Sequence, residues 1–284
     1  MINGYYYIKS KQINWALNRG LKLQGSKREK GEKAYTMTLE ENLFEPLLDT
    51  VKKQFKEGRG GELEGDPCPM QAVHSSAALV VNVFQYWIKI NDYSSVLEAL
   101  GFPKMECEYC KFEKKFPVCR GTPPHLDVVF SCKNKREIII AIESKFTEPY
   151  SSRGKKEEMQ DAYFENNLLY LWEDIPHVKK LAEKIRIEKT SGFNYLYADQ
   201  LIKHLLGLKK QYKKKDFYLV YLWYNVPGKE GYFHEQEIKE IGEIFKADGI
   251  NFQTITYQEL LIKLAENCRE THPRYIEYLT ERYL

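Results

Sequence analysis

The clearest pattern along the chain is a pair of apolar segments separated by a short polar run. The first segment is HLDVVF, the polar run is SCKNKR, and the second segment is EIIIAIESKF, which ends at Phe146. Both apolar segments are rich in β-branched and aromatic residues, and the run between them is typical of a turn. The pattern therefore predicts two buried antiparallel strands joined as a hairpin about Lys135.

Helical and strand patterns alternate along the rest of the chain. Residues 39–56 predict a helix that ends before a glycine-rich junction, and residues 70–90 are apolar almost all round, as in a buried helix. After the hairpin the pattern predicts a charged helical segment over residues 153–189 and a helix capped by Asp199. It then predicts a strand at 216–224, a helix at 234–247, a strand at 251–257 and a final helix from residue 258. Such alternation predicts an α/β fold with a mixed β-sheet flanked by helices on both faces.

Length and composition predict a folded, enzyme-sized protein. The chain has 284 residues, of which 43% are hydrophobic and 14% aromatic, more than disordered chains carry. We expect a helical, basic segment over residues 1–66, packed on a main domain over residues 67–284. The N-terminus lacks the apolar region of a secretory signal, and no apolar stretch reaches the length of about 18 residues that a membrane helix needs. The expected compartment is the cytoplasm, with no membrane partner.

Basic residues are concentrated in two places, although the formal net charge is only +3. Residues 9–33 contain Glu29 and Glu32 as their only carboxylates, and residues 209–215 read KKQYKKK. Lysine and arginine clusters of this kind bind nucleic-acid phosphates without reading sequence. A solvated charged face explains either cluster equally well.

The predicted hairpin gathers three charged side chains. Side chains alternate between the faces of a strand, so Glu143 and Lys145 share one face, about 6 to 7 Å apart. A hairpin folded about Lys135 places Asp127 opposite Glu143, with Cα atoms about 4.5 to 5.5 Å apart. A one-residue bulge in the turn would instead move Asp127 to the other face. We expect the three groups to converge.

Two carboxylates on an apolar hairpin repel each other and lose hydration, which costs free energy. A divalent cation between them would offset that cost. Mg²⁺ is typically held by one or two carboxylates together with waters and phosphate oxygens. Lys145 could then position the attacking water and neutralise a phosphate. The simpler alternative is an ion pair between Glu143 and Lys145, because Glu-x-Lys also occurs at 113–115 and 237–239, which we interpret as a charged loop and a solvated helix.

Asp127, Glu143 and Lys145 resemble the Asp, Glu-x-Lys signature of the restriction-endonuclease-like PD-(D/E)XK nuclease superfamily. The segments HSSAAL, TPPHLD and ESKFTEPY are also similar to a bacterial subgroup of that superfamily, and the likeness spans roughly residues 60–225. The chain departs from the usual pattern in having no proline directly before Asp127. The resemblance implies a restriction-endonuclease-like fold and an Mg²⁺-dependent endonuclease, with Mn²⁺ as a substitute. The implied partner is DNA, with RNA left open, and a homodimer is compatible with it.

The resemblance also nominates further site residues. The pentapeptide from Gln200 to His204 resembles the Gln-apolar-x-x-Tyr motif of the RecB-like branch, with His in place of Tyr. Gln200 and His204 lie four apart on one helical face, so both can address the same ligand. In the RecB-like branch a histidine from an N-terminal helix joins the metal site, which nominates His74. Glu62 is a candidate for the extra acidic ligand that many relatives have.

The helix predicted over residues 70–90 carries a stripe of four polar residues, Gln71, Ser75, Asn82 and Gln85. A polar stripe on a buried helix needs hydrogen-bond partners. Nearby backbone groups could supply them, or the stripe could face the hairpin.

Four of the six cysteines could bind zinc, because Cys107 and Cys110 form a C-x-x-C pair with Cys119 and Cys132 further on. Structural zinc sites usually combine two closely spaced pairs, and the second half is scattered here. We expect reduced thiols without a disulfide framework. A structural zinc belongs to the alternative function, a nucleic-acid-binding protein that keeps the nuclease fold without cleaving.

Overall fold

The computed structural model describes residues 3–58, 60–134, 136–151 and 157–284. The elements before the hairpin are α1 (Gly4–Asn18), β1 (Leu23–Gly25), β2 (Lys33–Thr36), α2 (Asp49–Glu57), α3 (Ser76–Ile90), α4 (Tyr93–Ala99) and β3 (Glu106–Lys115). The remaining elements are β4 (His125–Asn134), β5 (Arg136–Lys145), α5 (Pro176–Glu188), α6 (Ala198–Gln211), β6 (Phe217–Trp223), α7 (Lys229–Ala247), β7 (Phe252–Thr256), α8 (Tyr257–Cys268) and α9 (Pro273–Tyr283).

A five-stranded mixed sheet with the order β3-β4-β5-β6-β7 forms the centre of the molecule. The pairs β3/β4 and β4/β5 are antiparallel, whereas β5/β6 and β6/β7 are parallel. One face of the sheet packs against α1 to α4, α8 and α9, and the other face packs against α5, α6 and α7. The predicted α/β class, with a mixed sheet and helices on both faces, is confirmed.

The predicted hairpin is formed by β4 and β5, and its strands are longer than the pattern indicated. Most of the polar run that we assigned to the turn belongs to these strands, because Ser131 pairs with Ile139 and Asn134 with Arg136. The predicted turn residue, Lys135, lies outside the described residues. The sequence did not reveal β3, which pairs with β4 along most of its length.

The helix predicted over residues 39–56 is shorter than expected and begins at Asp49. The buried helix begins at Ser76, and the Ser75 side chain caps it by accepting from the Ala78 N–H. The polar stripe hydrogen-bonds to the N-terminal segment: Asn82 accepts from the Phe44 N–H, and Gln85 accepts from the Leu48 N–H. The stripe therefore anchors that segment and does not face the hairpin.

A buried arginine joins the N-terminal segment to the last helix. Arg282 of α9 is fully buried and donates to the Asn42 backbone oxygen at 2.8 Å, to Asn42 Oδ1 at 2.6 Å and to the Val73 carbonyl at 3.0 Å. Its guanidinium also donates to Gln12 and lies 4.1 Å from the Trp15 ring centroid. All these acceptors are neutral, so the guanidinium is held by hydrogen bonds and ring contacts.

Cys107 and Cys132 form a disulfide that links β3 to β4. The expectation of reduced thiols is therefore wrong for this pair. Cys110 packs in the core on one face of the sheet, and Cys119 packs against the core on the other face. The structure does not bring the four sulfurs of the suggested zinc site together. Separately, no helix in the described ranges is both long enough and apolar enough to cross a bilayer.

Candidate active site

Glu143 and Lys145 lie at the end of β5, where this strand runs parallel to β6. Glu143 pairs with Tyr221 and Lys145 with Trp223, both in the last part of β6. The carboxyl ends of parallel strands are where ligands bind in open α/β sheets. The chain folds this way because the apolar run that ends at Ile142 is buried in the sheet, and charged side chains follow directly at its carboxyl end.

Asp127 of β4 reaches the same place. The β4/β5 register pairs Val128 with Ile142, and continuing it by one residue puts Asp127 opposite Glu143. The Asp127 Oδ2 atom accepts a hydrogen bond from the Ser144 N–H at 2.6 Å. The side chain thus lies against the end of β5, beside Glu143 and Lys145, and the three predicted residues line one cavity.

Glu143 is the centre of a buried network. Lys145 Nζ donates to Glu143 Oε1 at 2.5 Å and to Gln200 Oε1 at 2.8 Å. His204 Nε2 lies 2.8 Å from Glu143 Oε2, at ion-pair distance but without hydrogen-bond alignment. Gln200 and His204, four residues apart on α6, hold Lys145 and Glu143 respectively. They contact the charged pair in this structure, and the prediction that both address one bound ligand stays a prediction.

The cavity is small and strongly acidic. Its volume is about 100 Å³, and it is lined by the carboxylates of Glu62, Glu113, Asp127, Glu143 and Glu148 together with Lys145 and Gln200. Two of these carboxylates, Glu113 and Glu148, were not predicted as site residues. Glu62, nominated by the resemblance, also lines the cavity, and its role as a metal ligand stays a prediction.

The carboxylates of the cavity differ in their affinity for protons. Burial alone would raise the pKa of Glu143, but the charges of Lys145 and His204 outweigh it and hold the pKa at about 2. Burial and the nearby Glu143 raise the pKa of Asp127 well above its ordinary value. Burial, with Glu143 and Glu62, raises the pKa of Glu113 to about 7. Proton-binding and ionised carboxyl groups therefore lie side by side, as is common in active sites.

Glu113 has an unusual backbone. It lies inside β3 with φ of +51°, a left-handed conformation that costs a non-glycine residue about 1 to 3 kcal/mol and is often found at functional sites. Its side chain is 19% exposed and lies 3.4 Å from His125 Nδ1. Our interpretation of this Glu-x-Lys copy as a charged loop was wrong, because these residues form the end of β3.

The third Glu-x-Lys copy, at 237–239, is not on a fully solvated helix as we interpreted it. Glu237 is buried and accepts backbone N–H groups of residues 194–196.

The ionisation of Glu113 should be visible in the stability of the protein. Its pKa is about 4.5 when unfolded and about 7 when folded, so the folded state binds more protons between these values and stability falls as pH rises through that window. In the metal-free protein, we expect the ionisation of Glu113 to lower the free energy of unfolding by up to about 3 kcal/mol between pH 5 and pH 8. Urea unfolding with EDTA at pH 5 and pH 8 measures it. Glu113→Gln should lose less stability than the wild type over this range, and equal losses would contradict the assignment.

A wider cleft of about 760 Å³ adjoins the acidic cavity. The two share Glu62, Ser76 and Glu148 as lining residues, so they lie side by side. Arg28 and Lys30, both exposed, lie on the cleft wall.

His74 also lines the wider cleft and not the acidic cavity. Its Nε2 atom is 2.9 Å from Glu29 Oε1, and Glu29 also pairs with Lys9. Burial acts to raise the pKa of Glu29, but His74 and Lys9 lower it to about 2. The structure therefore brings His74 to Glu29 and does not bring it beside Asp127, and its role as a metal ligand stays a prediction.

The predicted basic clusters occupy different surroundings from those expected. Lys9 is buried between Glu29 and Glu32. The run at 213–215 precedes Phe217, which pairs with Ile139 near the start of β5. Six residue steps along the sheet, about 20 Å, separate that pair from Lys145 and Trp223. The run lies at the opposite end of the sheet from the carboxylates, so Arg28 and Lys30 are the exposed basic groups among the described residues that line the cleft.

The cavity fits a hard divalent cation. It offers carboxylate oxygens, and buried carboxylates close to one another are stabilised by a cation. In the part of the chain that the structure describes, no three acidic, histidine or cysteine side chains are already gathered as a metal cage. Asp127 and Glu143 could therefore supply two ligands, with water and substrate oxygens completing the coordination, which is the arrangement Mg²⁺ prefers.

A family model described as "Restriction Endonuclease associating with ARP" matches residues 9–284, nearly the whole chain. Comparisons with curated proteins and with solved structures returned no match. All of the carboxylates that line the acidic cavity, and the residues on α6 that hold Glu143 and Lys145, fall within the matched region.

Proposed function

Because this chain belongs to the family of restriction endonucleases associating with ARP, we propose that it is a divalent-cation-dependent endonuclease that hydrolyses phosphodiester bonds in DNA. The resemblance seen in the sequence is confirmed at the level of a restriction-endonuclease-like family. The observation that carries the finer proposal is the convergence of Asp127, Glu143 and Lys145 on one buried cavity at the carboxyl ends of β5 and β6. The family also favours a role in restriction or defence.

Each residue has a chemical role in this proposal. Asp127 and Glu143 would hold Mg²⁺ or Mn²⁺, which would polarise the phosphoryl group. Lys145 carries the positive charge that stabilises negative charge developing on the phosphate. Gln200 fixes the Lys145 ammonium at 2.8 Å, and His204 holds Glu143 from the other side. Because both come from one helix packed on the sheet, the charged pair is rigidly placed.

The substrate would bind along the wider cleft, because that cleft adjoins the acidic cavity. The cavity alone is too small for a nucleotide, and its excess of carboxylates would repel phosphate without a cation. Arg28 and Lys30 supply positive charge on the cleft wall, where flanking phosphates would lie.

The direct test is cleavage of supercoiled and linear DNA, single- and double-stranded, with Mg²⁺, Mn²⁺ or EDTA, and of RNA under the same conditions. We expect DNA cleavage with Mg²⁺ or Mn²⁺ and none with EDTA. Lys145→Met, measured in parallel, separates this activity from a contaminating nuclease, because the variant should lose it. Binding of DNA without cleavage under every condition would favour the alternative of a non-cleaving nucleic-acid-binding protein.

The basic residues of the cleft should control affinity without controlling chemistry. Since each lysine or arginine bound to a phosphate contributes about one unit to the salt slope of DNA binding, Arg28→Gln with Lys30→Gln should lower that slope by about two. Cleavage at saturating DNA should remain. The matched control is Lys213→Gln with Lys215→Gln, because both lysines are exposed but lie at the far end of the sheet. Fluorescence anisotropy at several salt concentrations measures the slope, and a larger decrease in the control pair would reverse our placement of the DNA.

A further inference from the structure

We propose that Glu113 is a third carboxylate of the catalytic centre, which binds the same divalent cation as Asp127. This inference rests on the proposed function and adds to it a residue on β3. The first observation is the position of Glu113 in the sheet. The β3/β4 register pairs Phe112 with Val128 and Lys114 with Leu126, so Glu113 lies in the row of Asp127. The register of β4 with β5 places Glu143 in that row too.

The second observation is that the side chains of both strands change from one face of the sheet to the other at this row. On β4, Val128 packs in the core on one face of the sheet, whereas Leu126 packs in the core on the other face. Phe112 of β3 and Phe116, which directly follows β3, make the same change of face. Residues two or four apart on a regular strand would share a face, so the alternation breaks between them in both strands.

The reversal has a consequence for the side chains in the row. The left-handed backbone of Glu113 is where β3 changes face, and Asp127 occupies the matching position of β4. Instead of covering one face or the other, both carboxylates line the acidic cavity at the end of the sheet. A regular strand would have turned Glu113 toward one of the two apolar cores.

The third observation is the lack of a strong cationic partner. In the described ranges, the ion pairs of Glu113 comprise only the contact with His125 Nδ1, at 3.4 Å. Across the cavity, Glu143 Oε2 belongs to a residue that is 1% exposed and makes no aligned hydrogen bond within those ranges. That oxygen lies 2.8 Å from His204 Nε2, whereas Glu113 has no contact so close among the ion pairs of the described residues and keeps coordination capacity toward the cavity. A hard cation shared with Asp127 accounts for a third carboxylate placed there.

Two substitutions separate a ligand from a structural residue. Glu113→Gln removes the charge and keeps the side-chain size, and Glu113→Gly also relieves the left-handed backbone. We expect both to raise the Mg²⁺ concentration for half-maximal cleavage by at least about tenfold. Without DNA, both should shrink the rise in melting temperature that Mg²⁺ or Mn²⁺ produces in the wild type. Glu108→Gln, an exposed position on the same strand, is the control and should change neither quantity.

The outcomes distinguish this inference from the proposed function. If the wild type cleaves DNA and Asp127→Asn does not, while both Glu113 variants respond to Mg²⁺ like the wild type, Glu113 is structural and only the inference fails. If His125→Gln reproduces the Glu113→Gln defect in metal response, the carboxylate acts through His125 and is not a ligand. If the wild type cleaves with no cation, the proposed function fails first.

Discussion

Replacing Asp127 with asparagine will lower the rate of DNA cleavage by at least about 10³-fold, because the substitution removes a charged ligand from a centre that works by electrostatic stabilisation. The fold should remain intact. Asparagine Oδ1 can still accept the hydrogen bond that Asp127 receives from the Ser144 N–H at 2.6 Å. Removal of the repulsion with Glu143 should leave the variant as stable as the wild type or more so.

This combination of abolished activity and retained stability is typical of a residue kept for function at a cost to the fold. Cleavage rates at saturating Mg²⁺ and urea unfolding curves measure the two quantities. DNA affinity in EDTA should be unchanged or higher, because asparagine cannot place a negative charge in the path of the phosphate. An Asp127→Asn protein that cleaves at the wild-type rate would place the active site elsewhere.

Replacing Arg282 with methionine should destabilise the protein by at least about 3 kcal/mol, because it leaves several buried acceptors without a donor. The acceptors that lose the arginine include Asn42 Oδ1, the Val73 carbonyl and Gln12 Oε1, whereas the Asn42 backbone oxygen keeps its hydrogen bond from Asn82. Arg282→Lys should recover only part of the stability, since an ammonium cannot reproduce the planar set of N–H donors that the guanidinium offers. The free energy of unfolding from urea titration measures both variants.

Arg19→Met is the matched control for Arg282. Arg19 pairs with Glu281 at 3.2 Å, next to Arg282 in the chain, but both partners are about half exposed. Surface ion pairs of this kind contribute about 0 to 1 kcal/mol. If the two methionine variants unfold at the same urea concentration, the buried network does not hold the N-terminal segment.

The hairpin and its three charged residues could be predicted because the signal is local. Two apolar segments with one short connection leave few registers, and only one of these puts Asp127 opposite Glu143. Gln200 and His204 were nominated by the resemblance of their pentapeptide to a known motif, and the helical period then placed both on one face of a helix. Their partners could not be foreseen, because contact with Glu143 and Lys145 depends on how α6 packs on the sheet.

Glu113 and Glu148 were missed for different physical reasons. The residues of β3 are mostly polar and charged, so hydrophobic alternation gives little signal, and the reversal at Glu113 breaks the remaining period. Glu148 lies beyond the end of β5, where only the tertiary fold decides which cavity a side chain enters. A search for acidic residues in every segment that can pair with the hairpin would have found Glu113.

The charge clusters show the limit of composition as a guide to binding surfaces. Lys9 belongs to the densest basic segment, yet it is buried between Glu29 and Glu32. Lys214 pairs with Asp174 and donates to the Asp248 carbonyl, so it serves the fold. Counting lysines could not distinguish these from Arg28 and Lys30, because the partners are distant in sequence.

The Arg282 network also determines when the N-terminal segment can complete its contacts during synthesis on the ribosome. Arg282 is 240 positions after Asn42, one of the residues it anchors, and synthesis proceeds at ~5 to 20 residues per second. The N-terminal segment, which carries the cleft residues Arg28 and Lys30, must therefore wait roughly 10 to 50 s for its anchor. Late in that interval the hairpin carboxylates have been synthesised, while the N-terminal segment has its contacts with Asn82 and Gln85 but not yet those with Arg282.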